Sequence, residues 1–336
     1  MADQRYPLTN LKMQPTQRGI ALLSALLVVA LATVIAVTMI EKQQYKIRRL
    51  ENIIFNQQAY YYSLAGEAWA RSILYKDITS STNKNTDNLF EDWAQPLPIT
   101  VIEGGTIAGE ILDLQGLFNL NNLHDPATTA TATPSPALLQ QIDIFKRLLT
   151  IVGVRPNFNQ VILDWIDADT NDIRFPDGAE DQSYQQKDPP YLAANTLLSS
   201  VSELLLMEGM SYEDYEKLRP FVTVLPQPTK ININTAPAEV IAALYPDLDL
   251  SEATTFIEDR EAAIDSTNDF LDETQAYVSD KATYRSEVEP LIGVKSDYFQ
   301  VKSSVQIDKV NSILHSKLFR DSNGKLELIS RSPGVD

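Results

Sequence analysis

The hydrophobic pattern of the chain begins as a block and only later becomes a period. From Ile20 to Ile40 no charged residue occurs, and about 20 apolar residues rising about 1.5 Å each match the hydrocarbon core of a bilayer. After Glu41 and Lys42, Ile47, Leu50, Ile54, Tyr61, Leu64, Ala65 and Ala68 recur at threes and fours, the spacing of one helical face. No proline interrupts residues 20 to 77, and Gly66 is the only glycine there. The pattern predicts one unbroken helix of about 55 residues, about 80 Å long, whose first half suits lipid and whose second half lays an apolar stripe on a domain.

Polar residues from Asp77 to Asn88 predict a loop. The segment "ITVIEGGTIAGEILDLQ" (99 to 115) alternates around Gly104-Gly105, a two-residue hairpin signal. "DPATTATATPSPA" (125 to 137) has the composition of an exposed connector. From there to about residue 292 the period is helical: "ALLQQIDIFKRLLTIVG" ends at Gly153, and "PNFNQVILDWIDAD" runs into an acidic stretch. Two later segments read as helical hairpins whose second helices open at Ser211 and Ser251 as N-caps. Period two returns at the end in "YFQVKSSVQID", "VNSILHSKLFRD" and "GKLELISRS", with Ser322-Asn323-Gly324 as the last turn.

This order predicts an α+β fold in which an antiparallel sheet joins the early hairpin to the late strands. A large inserted α-helical domain interrupts that sheet, and the long N-terminal helix packs on it. The expected parts are 1–19, a leader; 20–77, the helix, with 20–40 membrane-spanning; 78–123, the first part of the sheet domain; 124–292, the helical insert; and 293–336, the strands that complete the sheet.

Charge places these parts. Arg5, Lys12 and Arg18 against Asp3 favour a cytoplasmic N-terminus with the rest exported. A mid-run Ala30-Leu31-Ala32 argues against a cleaved secretory signal peptide, which has a shorter apolar core. Without cysteine, stability must come from the core or from a metal. The net charge of -17 opposes binding to a phosphate backbone and leaves carboxylates available for cations. Only His124 and His315 occur, and no G-x-S-x-G, H-E-x-x-H or P-loop pattern is present, so no catalytic site is expected.

The acidic stretch carries the candidate chemistry. Asp167, Asp169 and Asn171 have the D-x-D-x-N opening of an EF-hand, but Asp172 and Gly178 stand where that loop needs glycine and a bidentate Glu. Glu180 and Asp181 follow a turn at Asp177-Gly178 and can return carboxylates to the first group. Calcium, which takes six to eight oxygens in loose geometry, suits such a discontinuous set. The residues alone leave two readings, a calcium site or a solvated acidic loop.

The segment "RG-IALLSALLVVALAT", followed by a continuous amphipathic helix, resembles the leader and first helix of type IV pilins and type II secretion pseudopilins. That resemblance implies cleavage by a prepilin peptidase after Gly19 and methylation of Ile20. Most pilins have Glu as the fifth mature residue, whereas this chain has Ser24, a mark of the minor pseudopilin family called type II secretion system protein K. "LDLQGLFNLNNL" (112 to 123), "LDWIDADTN" with "PDGAEDQSY", "PPYLAANTLLSSVSELLLMEGM" and "KININTAPAEVIAAL" are similar to successive segments of that family, in order.

The resemblance implies a non-enzymatic, single-pass inner-membrane protein with its C-terminal domain in the periplasm, at the tip of the secretion pseudopilus. It would start or cap the fibre that exports folded proteins across the outer membrane. Implied partners are the minor pseudopilins I, J and H and the inner-membrane secretion platform. The resemblance also implies a structural calcium site at Asp167, Asp169, Glu180 and Asp181, with Asn171, Asp188 and Asn195 as weaker candidates. "KININTAPAEVIAAL" is also similar to helix-hairpin-helix DNA modules, but its surroundings are acidic and no nucleic acid is expected. The alternatives are a DNA-uptake minor pilin and a signal-anchored periplasmic calcium protein.

Overall fold

The computed structural model describes residues 16–80, 85–124, 134–170 and 177–334. Helix α1 (Thr16–Ser80) is unbroken for 65 residues. Among the described residues it is the one helix long and apolar enough to cross a membrane. The chain divides into two units, 1–59 and 60–336.

Within the second unit, a five-stranded antiparallel sheet is assembled from β1 (Leu97–Ile102) and β2 (Gly105–Asp113) with three strands from the end of the chain. Those three, named here with the numbers their place in the chain gives them, are β7 (Tyr298–Ile307), β8 (Val310–Arg320) and β9 (Leu326–Gly334). The order across the sheet is β1-β2-β7-β8-β9, so β2 and β7 pair in register although 184 residues separate Asp113 from Tyr298, the positions where one ends and the other begins. The hairpin turn is Glu103-Gly104, one residue earlier than the Gly104-Gly105 expected. Ile102 pairs with Gly105, and it is Gly104 that takes the positive φ of 81°.

The last turns of α1 lie on this sheet through Ala70 and Leu74, which share a core with Trp93, Ile111, Phe299, Val301 and Leu318. Gly66 permits the approach: a Cβ there would stand 2.4 Å from Ser303 Oγ. Glu67, buried on the same face, accepts hydrogen bonds from Ser316 Oγ at 2.7 Å and from Arg331 Nε at 2.6 Å.

The helical body lies between β2 and β7, and its core runs from Phe118 to Ile292. Its elements are β3 (Phe118–Asn119), α2 (Pro136–Ile151), α3 (Phe158–Ile166), α4 (Asp181–Gln185), α5 (Tyr212–Leu218), β4 (Val222–Thr223), β5 (Ile231–Asn232), α6 (Ala238–Ala243), α7 (Leu250–Glu258), α8 (Thr267–Thr274), α9 (Lys281–Val288) and β6 (Ile292–Gly293). Helix α2 is capped by the Ser135 side chain and stops before Gly153, whose φ is +75°.

The first helix of the first hairpin is a 3-10 segment (Val201–Leu206), while Ser211 caps α5 as expected. Ser251 does not cap α7. Asp249 does, in a reciprocal box with Glu252 that satisfies two backbone donors rather than one. Three buried asparagines of "LFNLNNL" supply hydrogen bonds where regular structure is lacking: Asn119 and Asn121 accept from Leu225 N and Leu198 N, and Asn122 from Thr229 N.

Candidate metal centre

Two groups of carboxylates gather in the described residues, and their surroundings differ. The first is Asp164, Asp167 and Glu180, all buried, with one oxygen from each within 4.8 Å of the others. Calcium ligands lie about 2.3–2.6 Å from the ion, so oxygens around one ion are spread over about this distance. Asp164 sits in the last turn of α3 and Asp167 is its C-cap; three apart, they fall on one side of the helix. Glu180 comes back to them as the N-cap position of α4.

Packing fixes that return. Trp165 meets Tyr184 edge-on at 5.0 Å, Tyr184 stacks on Tyr191 at 5.4 Å, and Asn157 Nδ2 donates to Asp177 Oδ1 at 2.8 Å. Glu180 is 2% exposed, and neither of its oxygens has a hydrogen-bond partner among the described residues. Burial, with Asp164, Asp167, Asp169 and Asp181 around it, pushes its carboxyl up to about 8. A buried carboxylate without donors costs several kcal/mol unless a cation compensates it, on the order of the penalty for an unpaired buried ion.

The structure thus brings Asp167 and Glu180 together and places the charges of Asp169 and Asp181 on Glu180. Asp181 also has a structural task, since its Oδ1 accepts from Ala193 N at 3.0 Å. Asn195, in left-handed backbone with φ +48°, donates its N–H to Trp165 O at 2.9 Å, which sets it beside the same turn, and its buried Oδ1 has no partner among the described residues. Asp188 is exposed and joins neither group. Asn171 lies outside the described residues. Asp164 is the residue that sequence reasoning missed; the Asp164/Asp167 spacing of three at the end of an apolar helix was the available signal.

The second group, Asp77, Asp87 and Glu91, already has donors from the protein itself. Arg320, 1% exposed, donates to Asp77 Oδ2 at 3.0 Å, to Asp87 Oδ1 and to Ser296 O, with its guanidinium 4.6 Å from the Phe299 ring centre. Glu91 accepts from Trp93 Nε1 at 2.6 Å and Asn88 Nδ2 at 2.8 Å. Only the first group holds a carboxylate, that of Glu180, which no donor among the described residues meets.

Comparison with known proteins adds independent findings. Two family models, both described as type II secretion system protein K, match residues 116–227 and 231–292. The type II secretion system protein K of Pseudomonas aeruginosa is 34% identical over 331 residues, covering 96% of this chain and 94% of the relative. That of Klebsiella pneumoniae is 34% identical, covering 87% and 89%. Among solved structures, a chain in the crystal structure of the GspK-GspI-GspJ complex from enterotoxigenic Escherichia coli has the same fold, with a TM-score of 0.74 at 24% identity, over 86% of this chain and 100% of that one.

Proposed function

Because the chain belongs to the type II secretion system protein K family, we propose that it is a minor pseudopilin that starts or caps the secretion pseudopilus at its tip, a fibre that drives folded proteins across the outer membrane. The observation that carries this reading is α1. One helix holds both an uncharged, exposed run long enough to span a bilayer and the residues that pack on the antiparallel sheet. Its basic flank keeps the N-terminus cytoplasmic and the remainder periplasmic.

Ser24 suits a terminal subunit. Its hydroxyl donates to Ala21 O at 3.0 Å within its own helix, and the residue has no carboxylate to offer a neighbour's terminal amine. A subunit with nothing stacked above it needs none. The partners under this reading are proteins I and J beside it and H beneath, with the inner-membrane platform at the fibre's base; the matched fold itself comes from a complex with GspI and GspJ. A DNA-uptake role has no support in a chain of net charge -17.

Calcium in this reading is structural. Asp164, Asp167 and Glu180 would hold it, with Asp169 and Asn195 nearby, and its two charges would compensate the carboxylates and fasten α4 to the end of α3. Prepilin peptidase would cut between Gly19 and Ile20. Intact mass and N-terminal peptide mapping of the protein from its native membrane test the fibre role: a chain starting at methylated Ile20 is expected. A chain that keeps residues 1–19 in cells with active peptidase would make α1 an ordinary anchor.

A further inference from the structure

The two edges of the sheet are finished differently. On β9, Pro333 removes a donor and Arg331 is ion-paired to Glu67 at 2.6 Å, both of which discourage further pairing. Strand β1 has Pro98 and a register irregularity near its start, but from Ile99 to Ile102 it carries neither proline nor charge. Ile99 and Val101 are 75% and 82% exposed.

The exposure is out of keeping with the surface around it. Ile107 faces α1, since its Cδ1 stands 3.2 Å from where a Gly66 Cβ would be, and Thr100 pairs with it. Val101 therefore projects from the opposite face, which elsewhere carries polar residues such as the Glu110–Lys302 ion pair. Ile102 and Gly105 close a two-residue hairpin as a hydrogen-bonded pair, so at the next position the N–H and C=O of Val101 point away from β2, along the open edge. On the α1 side, Trp69 lines a cleft with Leu97 and also a groove of about 480 Å³ with Ile73 and Phe90. Asp77, Glu91 and Asp92 lie on that groove with Lys76 as its one basic lining residue, and Glu103 sits in the turn at the far end of β1.

We propose that the free edge of β1 takes up an extended strand from a companion pseudopilin, apolar in its middle and carrying Lys or Arg at its ends. Main-chain groups at the edge admit only a strand. One row of its side chains would lie beside Ile99 and Val101, the other toward Leu97 and Trp69, and its basic ends would meet Glu103 and Asp92. The proposal rests on the tip-complex reading above and names the surface that reading leaves open.

The test uses the full chain in detergent with the protein I and protein J counterparts from the same cells. In the complex, the outward-pointing amide of Val101 should exchange at least about tenfold more slowly, because a new main-chain bond protects it. Val101→Pro, which deletes the outward donor, and Val101→Lys should each weaken binding by about tenfold or more. Val101→Lys keeps the test sound if the proline variant fails to fold. Companions that bind Val101→Lys as tightly as the parent chain, and leave the Val101 amide of the parent unprotected, would overturn the edge assignment and leave the partner reading standing. No binding to the parent chain would overturn both. Protection that grows with the concentration of this chain alone would make a second copy the occupant and would overturn the proposal.

Discussion

Asp87 and Glu180 are buried to the same degree, 1% and 2% exposed, yet the chain treats them in opposite ways. At the junction of sheet and helical body, Asp87 accepts from Arg320 and, through Oδ2, from Ser296 N at 2.8 Å. Its neighbour Asp113 accepts from Ser296 Oγ, Thr235 Oγ1, Asn232 Nδ2 and Gln115 N. In the acidic turn, Glu180 receives no hydrogen bond from the described residues and faces further carboxylates. The junction is a site where the protein supplies its own cation, whereas the turn gathers carboxylates around a buried Glu180 that no donor among the described residues meets. Burial and acidity alone do not distinguish the two; the donors do.

The largest expected effect breaks the first half of the comparison. Arg320→Met leaves Asp77 and Asp87 without their cation and should cost about 3–5 kcal/mol, the usual result of removing one partner of a buried pair. Thermal unfolding of the full chain in detergent should show the same loss with calcium or with chelator, and a loss confined to one condition would mean that the two regions are coupled.

The second effect has the opposite dependence. At calcium about 100-fold above its dissociation constant, binding should stabilise the parent chain by about 2.7 kcal/mol. Glu180→Gln should lose most of that increment, yet in chelator at pH 8 it should melt at or above the parent, since it removes a buried charge that has no donor. An equal drop in both conditions would make Glu180 a packing residue and end the metal reading.

How much of this was legible beforehand follows the range of the interactions. The apolar block and helical stripe of α1, the alternation of β7 and β8, and the Gly153 stop depend on neighbours a few residues apart, and each was readable. Caps were less secure: Asp249 and Ser251 are both good capping residues, and only the reciprocal bond to Glu252 decides between them. The acidic turn was half legible, because Asp167 and Glu180 lie in a visibly acidic stretch while Asp164 sits inside an apolar helix and reads as its polar face. The Arg320 junction was not legible at all. Its groups come from positions 77, 87, 296 and 320, and no spacing in the chain announces that they meet.

The smallest effect is the sharpest on the acidic turn, since it isolates one carboxyl by pH. Burial is the main cause that raises Asp113 to about 6, Glu91 to about 7 and Glu180 to about 8. A carboxyl whose folded-state pKa exceeds its unfolded value binds its proton more tightly when folded. Its contribution is complete below the unfolded value, about 4.5 for a Glu, and is lost as pH rises through the folded one. Glu67, lowered chiefly by Arg331 and Ser316 against its burial, works the other way and only at acid pH. In chelator the melting temperature should therefore fall by a few degrees, roughly, between pH 5 and 8. Asp113 and Glu91 give up most of their share at lower pH than Glu180 does, so the part of the fall that belongs to Glu180 lies at the upper end of the range and is the part that should vanish in Glu180→Gln. With calcium the sign should reverse, because ligating carboxylates must be deprotonated and the metal-bound fold gains as they ionise. Parallel curves for the two proteins in chelator between pH 7 and 8 would mean that Glu180 finds a donor in solution, and the contrast with Asp87 would no longer hold.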